Sequence, residues 1–272
     1  MDAGETFATC ISRVQNPKMR RCLTEIRPNI VSAAADYVQR AENAELHLIH
    51  PLATIGAVPG NEMVKTYNGR MAKKEQPGRP IYDRIKLLPK NDRCPFCDHR
   101  NVSTLDHILP KQLYPFFAVT PVNLVGCCAD CNKLKLAVAP TNAFDTILHP
   151  YFDDVTTHQW LAAQVIESAP AALTFHVAEV DEWDDALNAR IAHQFELLGL
   201  ADLYSSQAAC ETANIKANLQ LHFDAGGAPA VRSELESQWA SRQLNQLNSW
   251  QTATYGALAN SDWFCDGGFG ET

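Results

Sequence analysis

Two Cys-x-x-Cys pairs, Cys94/Cys97 and Cys128/Cys131, constrain this chain more than any other feature. Four thiols at this spacing meet the closed tetrahedral demand of a structural Zn²⁺. A chain that brings them to one point must fold the intervening residues into a short closed unit. A disulfide or redox pair is the competing use of such cysteines, but in a reducing compartment close pairs serve metals more often. The other five cysteines, Cys10, Cys22, Cys127, Cys210 and Cys265, are scattered. Cys127 breaks the spacing and reads as a small buried side chain. Arg93, Arg100 and Lys133 are placed to offset the charge of bound thiolates.

The residues between and just after the pairs carry reactive chemistry. Asp106-His107 is followed by Ile108-Leu109-Pro110, then Asn123, and Cys131 runs directly into Asn132-Lys133-Leu134-Lys135. Phosphodiester hydrolysis needs a base for water and a cation against the charge on phosphate and leaving oxygen. A neutral imidazole accepts that proton, which nominates His107. A carboxylate and an amide oxygen are hard ligands for Mg²⁺ or Mn²⁺, which nominates Asp106 and Asn132. Lys135 lies three residues beyond Asn132 on the same helical face, as an exposed cation or as a phosphate contact; Lys133 and Lys111 are further candidate nucleic-acid contacts. Adjacent strand residues point to opposite faces, so Asp106 and His107 share one phosphate only if the strand bends between them.

This pattern resembles the zinc-stapled HNH endonuclease family over Arg93 to Lys135. The resemblance implies a ββα-metal core in which a hairpin supplies Asp106 and His107 and a helix supplies the third motif residue. It also implies that Asn123 holds the His107 ring by bonding across the hairpin loop. The third position is Asn132, where many members have His. The implied activity is metal-dependent cleavage of DNA, double-stranded for preference, leaving a 5′-phosphate and a 3′-hydroxyl. The stretches Ile81 to Cys97 and Trp250 to Phe269 are similar to HNH proteins of bacterial anti-phage systems, including the Septu type, which implies a partner ATPase. The other class of function the residues allow is a non-catalytic zinc module that binds nucleic acid or protein.

Charge is divided along the chain in a way the net value of −8 hides. Residues 1–61 balance, residues 62–139 carry thirteen cations against seven anions, and residues 140–272 carry four against eighteen. A polyanion is drawn to the middle and repelled by the C-terminal part. The acidic part is therefore expected to serve as a docking surface or simply to aid solubility.

The expected fold is α+β and predominantly helical. It comprises an N-terminal helical region (1–61) with a helix over 30–49, a basic linker or phosphate-tracking arm (62–92), the core (93–139) and an acidic helical region (140–272). Turn signals such as Pro59-Gly60 and Pro77-Gly78 make most of 51–92 loop. Pro140 is expected to stop the helix that carries Cys131. A short helix is expected near 157–167, a strand over 172–180, and helices over 184–198, 203–223, 229–246 and 247–259. No run approaches a membrane span and MDAGETFATC lacks a basic-then-apolar leader, so a cytoplasmic location is expected.

Overall fold

The structure is a computed structural model that describes residues 1–270. The chain forms two compact units, Met1–Asp153 and the residues from Asp154 onward. The fold is mostly helical, with three small two-stranded antiparallel sheets.

The first unit opens with α1 (Ala3–Ile11), α2 (Pro17–Glu25) and α3 (Arg27–Glu42). Asp2 caps α1 by accepting from the Glu5 amide, and Asn16 caps α2 by accepting from Met19. Both caps satisfy amides that a helix start leaves unpaired. The apolar faces of these helices supply Phe7, Leu23 and Ile30 to a core shared with Met63, Met71, Tyr82 and Ile85. The last four lie in the stretch expected to be mostly loop. That stretch instead folds as β1 (Thr54–Ile55), β2 (Val58–Pro59), α4 (Gly60–Thr66) running into a π-helical turn at Tyr67–Ala72, and α5 (Arg79–Lys86). Its Pro59-Gly60 and Pro77-Gly78 pairs stand where helices begin. Gly60 opens α4, and Pro80 occupies the first turn of α5, where a missing N–H costs nothing. At Gly78 a Cβ would come within 2.7 Å of Cys10 Sγ and 2.9 Å of Met71 Cα, so glycine is required for α5 to start against α1.

On this scaffold lies the hairpin of β3 (Thr104–His107) and β4 (Leu124–Cys127), with Asp106 opposite Val125 and His107 opposite Leu124. The helix α6 (Ala129–Lys135) follows at once. It ends because Leu136 turns to φ 56°, ahead of the expected stop at Pro140.

In the second unit the expected helix near 157–167 is a strand. Leu161–Ile166 is β5, paired in continuous register with β6 (Ala172–Val177). A six-residue apolar run reads equally well as either element, and cross-strand pairing with β6 decides. The helices α7 (Asp185–Leu197) and α9 (Trp250–Ala259) follow expectation, α8 (Leu200–Asn245) spans the two expected over 203–223 and 229–246, and the short α10 (Asp262–Cys265) is additional. Gly226 and Gly227 interrupt α8 with non-helical backbone, Gly227 at φ 64°. Among the described residues no helix is long and apolar enough to cross a membrane.

Candidate active site and metal centre

The four knuckle cysteines converge. Their sulfurs lie within 4.8 Å of one another, all four residues are buried, and none is in a disulfide. Local backbone geometry does the placing. The Asp98 amide donates to the Cys94 carbonyl at 2.7 Å with Asp98 at φ 46°, and the Cys94 amide donates to the Arg100 carbonyl at 2.9 Å. Cys128 caps α6, its sulfur accepting from the Cys131 amide at 3.3 Å. Hydrogen bonding from Cys128 and its neighbours holds the Cys97 thiol well below the usual range, and bonding from Cys131 lowers Cys128 to about 7. The same bonding pushes the Cys94 and Cys131 thiols up, so it is the closed, buried convergence of four sulfurs that fits a tetrahedral soft-ligand site for Zn²⁺. Arg93 braces the first knuckle by donating to the His99 carbonyl and to Asn101 Oδ1. Arg100 pairs with Asp130 at 2.8 Å. Cys127 is buried and its thiol is pushed up by burial, in keeping with a packing role.

The opposite end of α6 carries a different cluster. His107 is 4% exposed, and its Nε2 lies 2.9 Å from the Ala118 carbonyl. A carbonyl only accepts, so Nε2 carries the proton and Nδ1 is the basic nitrogen. Burial, with the Lys111 charge adding to it, lowers the imidazole to about 3, so it is neutral at physiological pH. Tyr67 meets the ring edge-on at a centroid distance of 4.4 Å, and Lys111 Nζ lies 5.0 Å from the Tyr67 ring centroid.

Asp106 is 6% exposed and its Oδ1 accepts from the His107 amide at 2.7 Å. Its Oδ2 lies 3.2 Å from Lys135 Nζ, an ion-pair distance without the alignment of a hydrogen bond. Burial raises the Asp106 carboxyl above the usual range, and Lys135 opposes this. Lys135 is 4% exposed and donates to the His107 carbonyl at 2.6 Å. It is thus neither an exposed cation nor turned outward to a phosphate.

Asn132 is pinned to β3, its Nδ2 donating to the Leu105 carbonyl at 3.3 Å. Its amide oxygen and the Asp106 carboxylate are both hard donors by their chemistry. Asn123, fully buried, accepts from the Leu109 amide and donates to the Leu109 and Phe117 carbonyls, tying both ends of the 108–123 loop. Lys133 is exposed and stands apart. The register of β3 runs unbroken through His107. Asp106 turns to Lys135 and His107 to Ala118, and the cations Lys135 and Lys111 act on both.

Over 236 residues the chain is 30% identical to protein ea31 of Escherichia phage lambda, an alignment covering 80% of this chain and 79% of that protein. The chain belongs to the ea31 family. No protein-family model matches it, and no solved structure matches it.

The motif reading missed Tyr67, Tyr37 and His149, which touch the site from elsewhere in the first unit. Tyr37 donates to Asn123 Oδ1 across 86 residues of chain, and His149 reaches Tyr37 across 112. No local pattern marks such partners, because only the folded chain brings them within reach.

Proposed function

We propose that this ea31-family protein is a metal-dependent endonuclease of the HNH, ββα-metal type that hydrolyses phosphodiester bonds in DNA. The observation that carries the reading is the neutral His107, its tautomer set by Ala118, next in β3 to the buried carboxylate of Asp106. In this reading His107 Nδ1 takes the proton of the attacking water as its oxygen bonds to phosphorus and the P–O3′ bond breaks, and the leaving O3′ takes a proton from solvent, giving a 5′-phosphate and a 3′-hydroxyl. Asp106 and Asn132 would hold Mg²⁺ or Mn²⁺, which supplies charge neutralisation at the phosphate. Zn²⁺ on the four cysteines sets where α6 starts and so where Asn132 stands. The cations of residues 62–139 draw the polyanion in.

The test is purified protein with plasmid DNA and Mg²⁺ or Mn²⁺. Cleavage is expected, with His107→Ala lowering it by roughly 10²- to 10⁴-fold. Cleavage indifferent to that change would sink the mechanism.

A specific observation also favours the other reading, a non-catalytic zinc module: Lys135 already sits against Asp106, as in a purely structural ion pair. That module would bind nucleic acid or protein and cut nothing under any divalent cation.

The defence setting and the ATPase partner belong to the same proposal and rest on the resemblance of Ile81 to Cys97 and Trp250 to Phe269. The acidic second unit is the surface we assign to that partner. Co-expression with a neighbouring ATPase should yield a stable complex, and a fully active monomer would count against it.

A further inference from the structure

We infer that Tyr37 and His149 are positioning residues for His107, acting through Asn123 and the 108–123 loop; this rests on the nuclease reading of that site. The hydrogen bonds between them can be assigned atom by atom. His149 Nδ1 accepts from the Tyr151 amide at 3.2 Å, so its proton is on Nε2. That Nε2–H is shared between the Val122 carbonyl at 3.0 Å, which can only accept, and Tyr37 Oη at 3.1 Å. Tyr37 therefore spends its own proton on Asn123 Oδ1, 3.1 Å away. Asn123 in turn ties Leu109, just past β3, to Phe117, and the next carbonyl along, Ala118, holds His107 Nε2.

The relay is buried. Tyr37 is 0% exposed, Asn123 0% and His149 1%, and the Tyr37 ring packs edge-on to Phe117 at a centroid distance of 5.0 Å. Burial keeps the Tyr37 hydroxyl protonated and hence a donor. Donors oriented in series in a low-dielectric interior reinforce one another, and outer-layer partners of this kind set the orientation of the groups they hold. The consequence is that α3 and the residues around His149, far from the motif in sequence, belong to the machinery that aims the base.

Tyr37→Phe separates this role from packing. It keeps the ring against Phe117 and strands no polar atom, because His149 Nε2–H retains the Val122 carbonyl and Asn123 Oδ1 retains the Leu109 amide. In the full-length protein three quantities are compared with wild type: kcat and KM on duplex DNA with Mg²⁺, the amide exchange rate of Leu109, and the ¹⁵N shifts of the His107 ring. The expected result is kcat reduced roughly ten-fold with KM unchanged, faster exchange at Leu109 and displaced His107 ring signals. His149→Phe should move all three in the same direction. Unchanged ring shifts and exchange in Tyr37→Phe would overturn the inference, whatever the enzyme does. If the wild type cuts nothing under any divalent cation while exchange and shifts move as stated, the positioning stands and the nuclease reading falls.

Discussion

The sulfur cluster at the start of α6 and the Asp106–His107–Lys135 cluster at its end differ in how their atoms are held. The four cysteines need only two tight knuckles, each set by backbone bonds within a few residues, such as Asp98 to Cys94 and Cys131 to Cys128. The second cluster draws on β3, on the far end of α6, on the 108–123 loop and, through Asn123, on α3. One is a closed set of like ligands. The other mixes a carboxylate, an imidazole and an ammonium ion, with Asp106 and Lys135 paired at 3.2 Å. The difference teaches that like ligands can be gathered by local backbone, whereas a buried mixture of charges must be paired by residues brought from several elements.

The comparison can be broken most directly at the sulfurs. Structural zinc contributes on the order of 10 kcal/mol of binding free energy, comparable to the whole stability of an ordinary domain. Chelation, or Cys131→Ser, is therefore expected to abolish the cooperative thermal transition of the first unit, followed by far-UV circular dichroism with metal analysis in parallel. A preparation free of zinc that melts unchanged would end the structural assignment.

A smaller effect sharpens the other side. Lys135→Met leaves Asp106 buried with its counter-charge gone and should cost about 3 kcal/mol in urea unfolding. Adding Asp106→Asn should restore part of that loss, because the residue left behind is neutral. If Lys135→Met alone were neutral in stability, the ion pair seen at 3.2 Å would not be a structural element.

How far the sequence carried can be judged from particular elements. The helices α7 and α9 and the Gly226-Gly227 break were legible because periodicity, caps and glycine pairs are local signals. The stretch 51–92 was misread because its Pro-Gly pairs, counted as loop punctuation, are helix starts once α1 packs on Gly78. Leu161–Ile166 was misread because a short apolar run carries no helix-or-strand label until β6 pairs with it. Lys135, three residues beyond Asn132, read either as a phosphate contact or as an exposed helix cation. It is buried because α6 lies against β3, where the ammonium finds Asp106 and the His107 carbonyl.

The sequence by itself determined the four-cysteine cluster and named the candidate residues beside it, because both depend on side-chain type and on spacings short enough for the local backbone to enforce. Only the tertiary structure decided how those residues are oriented: that His107 carries its proton on Nε2, that Asp106 faces Lys135, and that Tyr37 and His149 stand behind Asn123. Those facts depend on contacts between segments as much as 112 residues apart, where only the packed core brings the atoms together.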